Sequence, residues 1–221
     1  MTKPRISETD HGIQGEFTVE IYDRFMRRMR DRGWIETNLI LKMGITHGLV
    51  LEVGPGPGYL GLEWLKKTQG STLKALEISP DMITLAQRNA QTYGLAGRVE
   101  YVPGDAQSMP FESATFDGVF SNGSLHEWSQ PQRIFQEIYR VLKPGGRYCI
   151  SDLRRDIHPV IRRIMWITTQ PSEIRPGLVT SLNAAYTRQE IQAMLRETDL
   201  CAAQVQQNVM GLVISGEKAK V

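Results

Sequence analysis

The sequence predicts an α/β fold, a mostly parallel sheet with helices packed on both faces. Three observations carry this. Apolar runs of strand length alternate with helix-period stretches through the middle of the chain. The first of those strands ends in a glycine-rich turn that opens a helix. A length of 221 residues suffices for one such domain with additions.

Taken in order, EFTVEIYDRFMRRMRDRG (16–33) places Ile21, Phe25 and Met29 on one stripe with arginines elsewhere, which predicts an amphipathic helix packed on the domain. LVLEV (49–53) is a short apolar run stopped by glycines, and YLGLEWLKK (59–67) sets Leu60, Trp64 and Leu65 at helical spacing. LKALEIS (73–79) is a second strand. Ser79 and Pro80 then serve as N-cap and first helical residue for DMITLAQRNAQTYG, closed by Gly94. VEYV (99–102), FDGVFSN (116–122) and RYCISD (147–152) are further strands, with the helix PQRIFQEIYRVL between the last two. Residues 157–187 mix apolar residues with prolines before a final helix, RQEIQAMLRETD, and strands near 201–206 and 209–215. The expected organisation is an N-terminal helical cap over 1–46 and a domain over 47–221, with a substrate-facing insertion at about 157–187.

Composition narrows the class. Hydrophobic content of 41% and charged content of 23% are those of an ordinary globular protein, and a net charge of +2 gives no strong overall field for nucleic acid or anionic lipid. Cys149 and Cys201 form no C-x-x-C and no His/Cys cluster has zinc spacing, so neither a disulfide framework nor a metal is expected; both are read as buried small apolar groups. The N-terminal MTKPRISETDHG lacks the apolar core of a signal peptide, and no run approaches membrane-spanning length. The expectation is a cytoplasmic protein with no membrane partner.

The turn VLEVGPGPGYLG (50–61) can be read in two registers. From Gly56 it spells G-x-G-x-x-G, the dinucleotide fingerprint; from Glu52 it spells E-x-G-x-G-x-G. Glu77, at the end of the second strand, suits ribose hydroxyls in either case. Asp105 in YVPGDAQSMPF, at the carboxyl edge of the third strand, can accept a hydrogen bond from an adenine amino group and points to the second register; an Asx-type turn is the plainer reading.

VLEVGPGPG, ALEIS, GDAQSMPF, FDGVFSNGSLHEW and RVLKPGG, in that order, resemble the class I S-adenosylmethionine-dependent methyltransferases of the methyltransferase domain 11 type. The resemblance covers about residues 47–152. It implies a Rossmann-like, seven-stranded sheet with a reversed last strand, S-adenosyl-L-methionine as cofactor and a small-molecule acceptor. It further implies that Gly54 and Gly56 border the methionyl part and that Glu77 takes the ribose hydroxyls; the cofactor's chemistry adds Glu52 as an acid and Gly58 to a turn without bulk, and Ile78 is expected among the cofactor-binding residues. Asp105 and Ala106 would frame the adenine, with Asn122 and Gly123 beside the transferred methyl. The methyl of a sulfonium is already activated, so such a site mainly aligns an acceptor and excludes water.

Other residues keep two readings. His126 could take an acceptor proton or orient it, or could cap a helix. Trp128 reads as a structural aromatic, and His11, His47 and His158 have no clustered partners. Tyr22 and Trp166 could build an apolar acceptor cavity, and Arg154 could hold an acceptor carboxylate unless it pairs with a nearby acid. The arginine runs could track phosphates, but interleaved aspartates favour a solvated face over nucleic acid. After the fourth strand Ser121-Asn122-Gly123-Ser124 departs from N/D-P-P-Y/F, which disfavours exocyclic-amine methylation. The remaining classes are a small-molecule methyltransferase, an RNA or protein methyltransferase, and a non-catalytic or nicotinamide-binding module.

Overall fold

The structure, a computed structural model, describes residues 4–7, 13 and 15–220; His11 lies outside the described residues, as do parts of the expected 1–46 cap. Helices α1 (Glu16–Asp31) and α2 (Thr37–Lys42) precede the sheet. Then follow β1 (Leu49–Val53), α3 (Tyr59–Lys67), β2 (Thr72–Glu77), α4 (Pro80–Thr92), β3 (Val99–Pro103) and β4 (Phe116–Asn122). Next come α5 (Pro131–Val141), β5 (Leu142–Leu153), α6 (Pro159–Thr168), α7 (Arg175–Ala184), α8 (Arg188–Leu195), β6 (Gln204–Gln207) and β7 (Gly211–Glu217).

The seven strands lie in the order β3-β2-β1-β4-β5-β7-β6, all parallel except β7, which runs against both neighbours. This is the Rossmann-like sheet with a reversed last strand that the motifs imply. Strand order reverses between β1 and β4, and a crevice opens beyond the carboxyl ends of strands at such a point. The strand period of two sends alternate side chains to opposite helical layers. Leu51 and Val119 join Phe116, Phe135 and Ile138 on one side, while Val50 and Phe120 pack with Leu60, Trp64 and Leu65 on the other. Full burial of each such side chain contributes roughly 1.5–3 kcal/mol.

Local chemistry sets the boundaries. The Ser79 hydroxyl accepts from the Met82 N–H at 3.3 Å and starts α4, as its sequence predicts. Thr187 and Glu190 form a reciprocal capping box at the start of α8. β5 begins at Leu142, earlier than expected, because Leu142 pairs with Phe116 ahead of an irregularity in the ladder. The 157–187 stretch is mostly helical. Pro159 and Pro176 sit in the first turns of α6 and α7, where a missing N–H is harmless, so prolines that read as loop signals are helix starts.

Two expectations change. α1 buries Val19, Ile21 and also Asp23, whose Oδ1 accepts from the Tyr59 hydroxyl at 2.7 Å, so an acid sits on the packed face. Cys149 is buried but Cys201 is exposed. Among the described residues no helix is long and apolar enough to cross a membrane.

Candidate functional site

At the switch point the chain leaves β1 through three left-handed glycines, Gly54 (φ 68°), Gly56 (φ 53°) and Gly58 (φ 81°). Their reasons differ. A Cβ on Gly54 would lie 2.8 Å from Ser124 Cβ, and one on Gly58 would lie 2.6 Å from the Tyr101 hydroxyl, so both allow close packing behind the turn. At Gly56 the nearest atom would be Tyr22 Cε1 at 3.5 Å, across the mouth of a cleft. That cleft, about 1000 Å³ with its open mouth, runs from the glycine turn past Glu77 and Ile78 to Asp105, and along the loop after β4.

Two carboxyls underlie the turn. Glu77 Oε1 accepts from the backbone N–H groups of Ile78 and Ser79, both at 2.9 Å, and Oε2 accepts from Gly56 N–H at 3.1 Å. Burial raises its pKa above the usual carboxylate range, and those N–H groups counter the rise. Glu52 is only 2% exposed, and its Oε2 has no hydrogen-bond partner among the described residues. Burial and then the charge of Glu77 push its carboxyl up to about 8, against a smaller lowering by the Gly61 backbone. Burial thus favours the neutral form of Glu52 in the free protein.

At the other end, Asp105 Oδ1 accepts from Gln107 N–H at 2.8 Å and starts a short turn, and Oδ2 accepts from Gln107 Nε2 at 3.1 Å, so the Asx-type reading holds while the residue still lines the cleft. Ala106 follows it on the cleft wall. Asn122 uses both Nδ2 protons, on Glu36 Oε2 and Ser151 Oγ, each at 2.9 Å, which holds the amide in one orientation. Gly123 then turns with φ 70°, and its N–H donates to Ser151 O at 2.9 Å.

Of the residues singled out in the sequence, Glu52, Gly54, Gly56, Glu77, Ile78, Asp105, Ala106, Asn122, Gly123 and Tyr22 line this cleft. Gly58 shapes the turn from behind. Three others do not line it. His126 is buried, with Nδ1 on Asp152 Oδ2 at 2.9 Å and its own backbone N–H on the same oxygen at 2.7 Å. Arg154 forks onto Asp156 and donates to Asn208 O, the ion-pair alternative. Trp166 is 45% exposed on α6 with the Arg175 guanidinium over its ring. The sequence reading missed Met26 and Ile13 as cleft residues and took Trp128 as structural although it lines the wall. Met26 was findable, because it lies one helical turn beyond Tyr22.

A switch-point cleft floored by a glycine turn, two acids and an Asp-bearing third-strand loop is the arrangement that the resemblance to class I, S-adenosylmethionine-dependent methyltransferases implies. Residues 51–150 match the model of the methyltransferase domain family. The rice (Oryza sativa subsp. japonica) 2-methyl-6-phytyl-1,4-hydroquinone methyltransferase 1, chloroplastic, is 37% identical over 114 residues, covering 51% of this chain and 32% of that protein. A Bacillus subtilis methyltransferase, YdaC, is 34% identical over 113 residues, 51% of this chain and 60% of its own length. The chain thus spans less than two thirds of the curated relatives it matches. A solved structure named as a candidate S-adenosyl-L-methionine-dependent methyltransferase of Methanococcus maripaludis shares the fold at a TM-score of 0.71 and 24% identity, covering 100% of this chain and 98% of that one.

Proposed function

We propose that this chain transfers the methyl group of S-adenosyl-L-methionine to a small organic acceptor in the cytoplasm. The observation that carries the reading is the pair of acids, Glu52 and Glu77, beneath a turn whose middle glycine opens on the cleft. A pyrophosphate against that turn would face the Glu77 carboxylate, whereas an ammonium near Glu52 would favour the ionised form of that buried acid. The donor set therefore fits a zwitterionic amino-acid moiety and disfavours a dinucleotide.

In this reading Gly54 and Gly56 admit the methionyl part without side-chain bulk, Glu77 Oε2 accepts from a ribose hydroxyl, and Asp105 with Ala106 frames the adenine. When bound, the cofactor supplies an electrophilic methyl. The protein supplies alignment: Asn122, held by Glu36 and Ser151, and Gly123 fix the wall beside which the acceptor docks. Tyr22 on α1 and Trp128 wall off water, which gives the expected 1–46 cap a part in the cofactor cleft. The alignment with the rice hydroquinone methyltransferase spans about half of this chain, so the acceptor here is drawn no more narrowly than a small molecule.

Calorimetry with S-adenosylhomocysteine and with NADH tests the cofactor. Binding of the first and not the second is expected, and the reverse result overturns the reading. Transfer of labelled methyl to pools of phenols, thiols and carboxylic acids tests the acceptor class. Labelling confined to added RNA or protein would replace the small-molecule reading with a macromolecular one.

A further inference from the structure

Helix α6 presents the wrong face to solvent. Val160, Arg163, Ile164 and Ile167 stand at i, i+3, i+4 and i+7 and so share one stripe. All four are exposed, and the three apolar ones are at least half exposed. The opposite face, Ile161, Arg162 and Met165, is the one turned toward the protein, with Arg162 donating to Asn183 Oδ1 at 2.7 Å. A surface helix normally keeps its apolar residues against the core, whereas α6 carries a second apolar stripe on the solvent side. Trp166 flanks the stripe beneath the Arg175 guanidinium.

A second apolar projection leaves the same edge of the sheet. The turn between β6 and β7 carries Val209 and Met210, at 64% and 50% exposure, and Arg154 N–H donates to Met210 O at 3.2 Å, only a few residues before α6 begins. The cofactor cleft opens at this edge too, beyond the ends of β1, β2 and β4.

Charge selects among occupants. Residues 154–188 hold six arginines against two acids, Asp156 and Glu173, within a chain whose net charge is only +2; Arg154 pairs with Asp156 and the buried Arg155 with Glu190, so the remaining positive charge of the segment rests on Arg162, Arg163, Arg175 and Arg188. The overall balance suggested no field for anionic lipid, but this segment carries a local excess of positive charge. A second copy of the chain would bring the same arginines against themselves, whereas an anionic bilayer surface complements them. Half-exposed isoleucines, a tryptophan and arginines with long apolar stems are the composition of a helix lying in a lipid interface.

We propose that α6, with the Val209–Met210 turn, docks this protein on an anionic membrane surface, with the stripe of Val160, Ile164 and Ile167 entering the headgroup boundary. Each arginine near such a surface adds to the attraction, which salt weakens.

The test is flotation of the full chain with phosphatidylcholine vesicles against phosphatidylcholine–phosphatidylglycerol vesicles at low salt. The partition coefficient is expected to be about tenfold or more higher on the anionic vesicles. Ile164→Glu with Ile167→Glu should abolish flotation while leaving the thermal unfolding midpoint in place; Val160→Ser with Ile164→Ser is the milder pair should the first fail to fold. Arg163→Gln should weaken binding to anionic vesicles alone. Absence of flotation overturns the proposal, as does flotation that both helix pairs leave unchanged. Sedimentation showing a dimer that Ile164→Glu dissociates, without vesicle binding, would assign the face to a second copy.

Discussion

The Glu77 carboxylate accepts a hydrogen bond from the backbone N–H of Gly56 at 3.1 Å, so the end of β2 and the turn after β1 are held as one unit. The same carboxylate takes the N–H groups of Ile78 and Ser79. A carboxylate offers about four acceptor positions. Three are occupied, and the one left is on Oε2. Glu77 therefore shapes the glycine turn, and in the proposed reading it also faces the cofactor, so its replacement should act on both.

Glu77→Ala should weaken S-adenosylhomocysteine binding by roughly tenfold to a hundredfold, since one charge-assisted hydrogen bond contributes about 1.5–3 kcal/mol. The turn's N–H groups also lose their acceptor, so the unfolding midpoint should fall. Titration calorimetry and thermal unfolding read the two effects separately. Unchanged affinity would remove Glu77 from the site.

Gly58→Ala and Gly56→Ala should separate stability from binding. Both positions are left-handed, which costs an L residue about 1–2 kcal/mol. Only Gly58 also meets the Tyr101 hydroxyl and, at 3.3 Å, Ala86 Cβ. Gly58→Ala should then lower the unfolding midpoint by roughly 5–10 °C, given about 2–4 °C per kcal/mol in a protein of this size. Gly56→Ala should cost less stability and more cofactor affinity, because its methyl enters the cleft. Equal losses of affinity in the two variants would contradict this division.

The residues that line the cleft from the glycine turn to Asp105 were legible because they are local in sequence. Glycine spacing, a strand-end acid and Asp105 each sit at the end of a strand whose periodicity is plain, and the sheet carries them to one edge. The acceptor half depends on what packs over that edge. His126 could not be placed from sequence because its burial is decided by Asp152 on the next strand. Trp166 and Arg154 were read by residue type, and type does not say which way a short helix turns or which acid a loop arginine meets. The charge excess of residues 154–188 was visible all along, diluted by averaging over the chain.

His126→Ala should behave as a structural change. It removes the Nδ1 contact from an Asp152 side chain that is only 1% exposed, while the backbone N–H groups of His126 and Leu153 remain on that carboxylate. Loss of one such buried contact costs about 1–3 kcal/mol. Asp152→Asn should cost a similar amount, and the double variant less than the sum, because the two share one interaction. Turnover at saturating cofactor should change little. A fall of about a hundredfold or more at an unmoved unfolding midpoint is the signature of a general base and would restore His126 to the catalytic machinery.

Glu52 should make both stability and cofactor affinity depend on pH, in opposite directions. Its carboxyl is pushed up to about 8 by burial and by the charge of Glu77. The folded chain therefore holds a proton that the unfolded chain releases once pH passes the ordinary carboxylate range. The stability this group contributes is complete below that range, falls as pH rises, and levels off above about 8. A single group can supply at most about 1.4 kcal/mol per pH unit over that window. Glu52→Gln keeps the shape and cannot titrate, so its stability relative to the parent should grow from about pH 5 to about pH 8. A cationic amine beside the site favours the ionised acid. Cofactor binding should then expel a proton and tighten with rising pH, by up to about tenfold per unit, in the parent alone. Calorimetry in buffers of different ionisation enthalpy counts that proton directly. Parallel pH profiles for parent and Glu52→Gln, in both stability and affinity, would mean that Glu52 is charged throughout and that the amine binds elsewhere.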